Sequence, residues 1–383
     1  MDDTGGFART GPDPAIAFFV TPHGFGHATR SAAVMAAVQA QRPEVRCEIF
    51  TTAPRWLFAE TLPGPFGHHE VQTDVGLVQR TPLQEDAPAT VAALDAFYPL
   101  DPGLVDRLAA RLEALGCCLV VSDIAPLGLA VGRRAGRPAV LQENFTWDWI
   151  YAAYEGELPG LRPHAAYLRG LFACADFHVQ TEPVCRPARP DLLAAPVSRA
   201  GRTGRDGQRR ALGLTEDRRA VLVSMGGLSA DHPALGRLRE CPQVQFLVPS
   251  HVPAIQSRDN VTLLPWSEAY FHPDLIEAAD AVIGKLGYST LAEVYCAGTP
   301  FGFVTRARFP ESRCLQAFVE MHMQGMPIAP TAFEDGSWIS SVGDLLSLPR
   351  LEGRPSGAGQ VAGFLLELLA GEEARGTCER CVP

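Results

Sequence analysis

The sequence predicts an α/β protein made of two Rossmann-like, doubly wound domains facing each other across a cleft. Three observations predict it. Short apolar runs alternate with longer segments of helical periodicity; a Pro-, Gly- and Arg-rich stretch without periodicity divides the chain near its middle; and the same alternation resumes beyond that stretch. The chain has 383 residues, 46% of them apolar and 20% charged, which suits two core-forming domains of ordinary size.

The first unit is read over residues 14–195. Its strands are expected at Ala15–Val20, Cys47–Thr51, Leu119–Ser122 and Phe177–Gln180, with helices between them such as His27 to Gln41 and Leu104 to Leu115, whose apolar residues recur at three- and four-residue steps. The stretch from Arg186 to Arg210 has the composition of a connection, so a linker is placed at 196–215. The second unit, 216–371, is expected to contribute strands at Ala220–Ser224, Val244–Val248, Val261–Leu264, Ala281–Ile283 and Phe301–Val304 and to close with a helix over about 359–369. Residues 372–383 are read as a mobile tail. No solenoid-type repeat is present.

The formal net charge of -10 provides no broad field for a nucleic-acid backbone, although the Arg205–Arg210 cluster is a local exception. The ten cysteines are dispersed among mostly apolar neighbours, as reduced core thiols would be, and the single CxxC, Cys378 to Cys381, lacks the further ligands of a tetrahedral zinc site. No apolar run is long enough to span a membrane and Met1–Pro14 lacks the layout of a secretion signal, so a cytoplasmic protein is expected.

Ligands of doubly wound sheets bind at the carboxyl ends of the strands, so chemistry is sought in the cleft. The first constellation there is Thr21-Pro22-His23-Gly24-Phe25-Gly26-His27-Ala28-Thr29-Arg30, which follows the first strand and opens the first helix. Gly24 and Gly26 allow a tight turn and close backbone approach. His27 near the helix start, where the dipole favours a neutral imidazole, is a candidate general base, and Arg30 can meet a phosphate or carboxylate. A plain glycine turn solvated by two histidines is the alternative. The glycine spacing is not that of a dinucleotide fingerprint, and the next strand ends in Thr51-Thr52 without an acidic residue, which disfavours a nicotinamide dehydrogenase.

The second constellation is Gly284-Lys285-Leu286-Gly287-Tyr288-Ser289-Thr290-Leu291-Ala292-Glu293, followed by Ala297-Gly298-Thr299-Pro300. A Gly-containing turn after a strand leads into a helix start at Ser289-Thr290, whose free N–H groups and hydroxyls suit a diphosphate, with Lys285 and Gly287 beside them. Glu293, one turn on, can accept bonds from a ribose diol or serve as a capping-box partner. Gly226-Gly227 after another strand, and Trp266 after Leu264-Pro265, are weaker donor-side candidates. In the first unit, Asp123 ends an apolar run and can orient His27 or cap the next helix. Asn144-Phe145-Thr146-Trp147 follows a strand-like run and can line an acceptor pocket or belong to the core.

Together these residues resemble the GT-B class of glycosyltransferases, especially the MurG and diacylglycerol-glucosyltransferase type. The resemblance implies that Ser289 and Thr290 hold the donor diphosphate, Glu293 the ribose and Glu311, after Arg308-Phe309-Pro310, the sugar hydroxyls. It makes His27 the base acting on an acceptor held by His23, Gly24, Phe25, Gly26, Arg30, Asn144 and Trp147. Phe25 stands where the MurG loop has Gly, so the lipid-linked acceptor of that family is not carried over. A closer likeness, through His23 to Arg30, Val121-Ser122-Asp123 and Asn144 to Tyr151, is to the glycosyltransferase-like N-terminal region of plant L-arabinokinases and its bacterial relatives. It does not extend to their sugar-kinase region.

The expected activity is inverting, metal-independent transfer of a sugar from a nucleotide-sugar, UDP-linked by the resemblance, to a hydroxyl of a small acceptor. His27 serves as base with Asp123 behind it, and the Ser289 helix stabilises the leaving diphosphate. No DxD pair falls at a cleft position, so no metal is expected, and no cofactor is expected beyond the nucleotide-sugar co-substrate. Two alternatives stay open: an epimerase or hydrolase acting on the donor itself, and a catalytically silent nucleotide-sugar-binding protein.

Overall fold

The computed structural model describes residues 13–81, 84–225, 233–265, 270–306 and 308–379. The first unit carries β1 (Ala15–Val20), β2 (Arg46–Phe50), β3 (Phe66–His69), a small hairpin of β4 (Gln79–Thr81) and β5 (Gln84–Glu85), β6 (Cys117–Asp123), β7 (Ala139–Glu143), β8 (Phe177–Thr181) and β9 (Leu192–Ala194). Outside the hairpin these strands form one parallel sheet in the order β3-β2-β1-β6-β7-β8-β9. The second unit carries β10 (Arg219–Ser224), β11 (Val244–Ser250), β12 (Gln256–Arg258), β13 (Val261–Pro265), β14 (Ala281–Lys285), β15 (Phe301–Val304) and β16 (Gly325–Ile328). Their order is β12-β13-β11-β10-β14-β15-β16, parallel except for the edge strand β12.

All six residues of β1 are buried, as a strand covered by helices on both faces requires. Each sheet has an apolar cluster on either face, one of them built on Phe19, Val120 and Trp147 and its opposite on Phe18, Val121 and Met35. Sheet order reverses direction between β1 and β6 in the first unit and between β10 and β14 in the second, and at these two points the helices on either side diverge and leave a crevice.

The ends of the chain depart from the sequence expectation. The last helix, Ala358–Glu379, runs past the expected stop. Its buried Val361, Ala362, Leu365 and Leu369 share an apolar cluster with Val34 and Val38 of the first unit, so the chain crosses back from the second unit to the first. The reason is an apolar stripe that finds its complement on helix Phe25–Gln41. Cys381 and the rest of 380–383 lie outside the described residues.

The linker is not featureless either. It holds the helix Gly204–Ala211, and Arg205 and Arg209 donate to the carbonyls of Ala278 and Ala279 or the carboxylate of Asp280. Those two arginines brace the helix-to-strand corner. No helix among the described residues is long and apolar enough to cross a membrane.

Candidate functional site

The crevices at the two reversal points face each other and enclose one cavity of about 530 Å³, within the range of small-ligand sites. On the first-unit side, Gly24 adopts φ 69° and ψ 174°, a conformation nearly closed to residues with a Cβ, and turns the chain from β1 into helix Phe25–Gln41. His27 lies two residues into that helix, 8% exposed and on the cavity wall. Its Nδ1 is 2.9 Å from Asp123 Oδ1.

Asp123 ends β6 and is 1% exposed. Its carboxylate also accepts from Arg30 Nε (2.9 Å), from Arg30 Nη2, from Ser31 Oγ (2.8 Å) and from Gln142 Nε2 (3.3 Å). Burial pushes this carboxyl upward, but Arg30 and His27 outweigh it and hold it below the ordinary carboxylate range. Arg30 Nη2 also lies 3.1 Å from His27 Nδ1, and an ionised Asp123, which can only accept, favours the tautomer with the proton on Nδ1 and Nε2 as the basic nitrogen. The chain turns sharply after Asp123, with Ile124 at φ 43°, a strained value for a β-branched residue.

Arg30 is 1% exposed and lines the cavity, with its guanidinium engaged by protein partners. Besides Asp123 it donates to Asn144 Oδ1 (2.8 Å) and lies over the Tyr288 ring at 4.9 Å. Asn144 and Trp147 are both 0% exposed and line no part of the cavity, which corrects the acceptor-contact expectation for both. Phe145, between them, is the residue that does line it.

Trp147 instead donates Nε1–H to Asp74 Oδ2 (2.9 Å), and Thr21 donates to Asp74 Oδ1 (2.7 Å). Burial raises the Asp74 carboxyl to about 7, even against those two donors. His23 packs edge-on to Trp147 and accepts from the Leu77 N–H at Nδ1 (3.3 Å). Burial, then His27 and the cations Arg306 and Lys285, press its imidazole well below the usual value.

On the second-unit side, β14 ends at Lys285 and helix Tyr288–Ala297 begins after Gly287, with no side-chain cap. Glu293 is therefore not a capping-box partner. The two helix starts come close: a Cβ on Gly26 would stand 3.3 Å from Ser289 Oγ. Ser289, Thr290, Lys285 and Gly287 all line the cavity. Lys285 has no carboxylate within ion-pair distance among the described residues, and burial and Arg306 lower its ammonium to about 8.

Glu293 lines the cavity too, but both of its oxygens are engaged. Oε1 accepts from Arg199 Nε (2.9 Å) and Oε2 is 2.6 Å from His272 Nδ1. His272 Nε2 in turn lies 2.7 Å from Ser224 Oγ at the end of β10. Arg199 comes from the linker and also pairs with Glu60 of the first unit. Arg199 and His272 together outweigh burial and keep Glu293 below the ordinary carboxylate range.

Glu311 opens helix Glu311–His322 and is 4% exposed. It accepts from Asn144 Nδ2 of the first unit (2.9 Å) and lies 3.5 Å from Arg306 Nη2. The sequence reading missed Asp74, Glu60, Arg199, His272 and Arg306, none of which sits in a motif. The donor-side candidates Gly226, Gly227 and Trp266 lie outside the described residues. Among the described residues no three His, Cys, Asp or Glu side chains group as a metal site would require.

No protein-family profile matches the chain. Among solved structures, a UDP-glucosyltransferase from Polygonum tinctorium capable of glucosylating indoxyl superposes with a TM-score of 0.58 at 15% identity, covering 96% of this chain and 95% of the other. MurG of Acinetobacter baumannii superposes with a TM-score of 0.53 at 14% identity, covering 93% and 100%. The chain has the GT-B fold. Within that fold the two sheets lie on opposite sides of the cavity, and the ends of β1, β10, β14 and β15 supply much of its wall, with Arg199 added from the linker. In sequence, the L-arabinokinase of Arabidopsis thaliana is 28% identical over 96% of this chain, which spans 35% of that relative's length.

Proposed function

We propose that the protein transfers a sugar, with inversion, from a nucleoside-diphosphate sugar to a hydroxyl of an acceptor held against the first unit. The observation that carries this is the pairing across one cavity of a base on one wall and an unsatisfied positive wall opposite. His27, oriented by Asp123, presents Nε2 for the acceptor proton. Facing it stand the helix start at Tyr288 and Lys285, which has no ion-pair partner among the described residues, a wall suited to an anion. In the reaction Nε2 takes the hydroxyl proton as the oxygen attacks the anomeric carbon, and the sugar–phosphate bond breaks toward the Ser289–Thr290 helix start, where N–H dipoles stabilise the departing diphosphate. Each oxygen of Glu293 keeps a lone pair beyond its bonds to Arg199 and His272, which are the acceptors a ribose diol needs. No divalent metal has a part in this scheme; UDP is the favoured nucleotide.

The test is a thermal-shift screen against UDP, TDP, GDP, CDP, ADP and their common sugar conjugates, repeated with Lys285→Ala and His27→Ala. A raised midpoint for one nucleotide, lost in Lys285→Ala and kept in His27→Ala, supports the reading, and His27→Ala then abolishes transfer. No shift with any nucleotide sinks it. One arrangement favours a second reading, donor hydrolysis: the Ser224–His272–Glu293 chain lies on the same wall with hydrogen-bond distances of 2.7 and 2.6 Å. Consumption of the donor without acceptor, abolished by Ser224→Ala, would select it.

A further inference from the structure

The loop after β15 places a second cation in the donor half of the cavity, one that no motif marks. Arg306 is 8% exposed and lies on the cavity wall. Its guanidinium is stacked on the Phe309 ring at 3.6 Å, which fixes its plane. Its Nη2 reaches Glu311 only at 3.5 Å, and its buried Nε has no partner among the described residues. Glu311 already accepts a shorter bond from Asn144, and among the described residues it is the one carboxylate that acts on both Arg306 and Lys285, Glu85 acting on Arg306 alone. The mutual proximity registers in the side chains themselves: Arg306 depresses Lys285, and both depress His23. Dehydrated cations outnumbering their counter-ions are costly in an empty protein. They are stabilised once an anion with two or more negative oxygens arrives, and a diphosphate has that charge and span.

We infer that Arg306 and Lys285 form a two-cation clamp on the diphosphate of the donor, with the neutral imidazole of His23 closing it from the first unit. The inference rests on the proposed transfer reaction for the rest of the donor. His23 accepts from the Leu77 N–H at Nδ1, so its proton is on Nε2, where it is a donor to an oxyanion. As the sugar–phosphate bond breaks, the bonding pair leaves with the phosphate oxygen. Arg306 meets that growing charge with a planar, permanently protonated fork held by Phe309, so no reorganisation is needed at the moment of transfer. Arg306 therefore acts on the leaving group, complementary to His27 on the acceptor.

The experiment is calorimetric titration of wild type, Arg306→Gln and Arg306→Lys with UDP, uridine and inorganic pyrophosphate. Circular dichroism and thermal midpoints confirm that each variant is folded. Arg306→Gln keeps an amide donor but removes the charge and the guanidinium fork stacked on Phe309, and Arg306→Lys restores the charge without the fork. The expected result is a tenfold or greater loss of UDP and pyrophosphate affinity in Arg306→Gln, unchanged uridine affinity, and partial recovery in Arg306→Lys. Equal UDP affinity in wild type and Arg306→Gln overturns the clamp, and so does a loss of uridine affinity in step with UDP, which marks a merely structural role. If wild type binds pyrophosphate through Arg306 but no nucleoside diphosphate, the clamp stands and the sugar-transfer reading falls. If it binds neither, the clamp is overturned as well.

Discussion

Asp123→Asn tests the electrostatic centre of the first-unit wall without any knowledge of substrate. Asp123 Oδ1 faces His27 Nδ1 and Arg30 Nη2, while Oδ2 faces Arg30 Nε, Ser31 Oγ and Gln142 Nε2. Whichever way an Asn amide is turned, its NH₂ confronts at least two donors, and Arg30, 1% exposed, is left as a buried cation without its carboxylate, beside the Asn144 carbonyl oxygen, His27 Nδ1 and the Tyr288 ring. Removing one member of a buried pair in this way costs about 3–5 kcal/mol, a large part of a typical 5–15 kcal/mol stability. Arg30→Met leaves Asp123 without its arginine but still bonded to Ser31 and Gln142 and next to His27. The double variant has neither orphan charge. Its loss should therefore fall short of the sum of the single losses by about 2 kcal/mol or more. Urea unfolding at pH 7, followed through tryptophan fluorescence, measures all three. A loss below about 1 kcal/mol for Asp123→Asn, or additivity within about 0.5 kcal/mol, would refute the argument that this carboxylate is held ionised by Arg30.

Three further outcomes are expected. Affinity for UDP should fall about tenfold per pH unit above pH 8, because the free protein loses the Lys285 proton near that pH and the bound anion, aided by Glu311 and opposed by Arg306, needs it back; proton uptake measured by calorimetry at pH 8.5 in two buffers of different ionisation enthalpy checks the sign. Asp74 has a folded-state value raised from 3.8 to about 7, so its contribution to stability is full below about pH 4 and is lost as the pH rises through 7; thermal midpoints between pH 5 and 8 should therefore fall more steeply in wild type than in Asp74→Asn. Trp147→Phe should lower stability by about 1.5–3 kcal/mol through the lost bond to Asp74, seen in urea unfolding, and leave the Michaelis constant for any acceptor nearly unchanged.

The fold was legible wherever burial on both faces forces a continuous apolar run. Ala15–Val20 and Phe301–Val304 are strands at the expected residues, and the other central strands differ by a residue or two at their ends. Most strands that escaped are edges, among them Phe66–His69, Leu192–Ala194, Gln256–Arg258 and Gly325–Ile328, which need only one neighbour, while the central Ala139–Glu143 was read only as a strand-like run before Asn144. The glycine turn with His27 and the Gly287–Glu293 stretch were legible because a strand end, a glycine and a helix start are adjacent in sequence. Asp74 and Arg306 were not, since a loop residue acquires its role only from what the fold brings against it. Asn144 and Trp147 were open to two readings, and burial decided between them.

Arg199 shows why the site cannot be divided between the two units. It leaves the linker, pairs with Glu60 on one side and Glu293 on the other, and lies over the Phe271 ring at 4.8 Å. Across the cleft, Asn144 joins Arg30 to Glu311, and Tyr154 donates to the Arg308 carbonyl oxygen at 2.9 Å. The first of these chains begins at the Asp123 pair that orients the base and ends at the carboxylate beside the proposed diphosphate clamp. The same contacts that hold the walls together therefore also set the geometry of both reacting groups. Separation of the units to admit a donor would break the Asn144–Glu311 bond and free Glu311 at the moment a sugar needs an acceptor, while reclosure would restore the bond and seat Arg30 beneath Tyr288. Under the proposed reaction, base and leaving-group wall would be in register when these contacts are made, which ties transfer to the arrangement that excludes water.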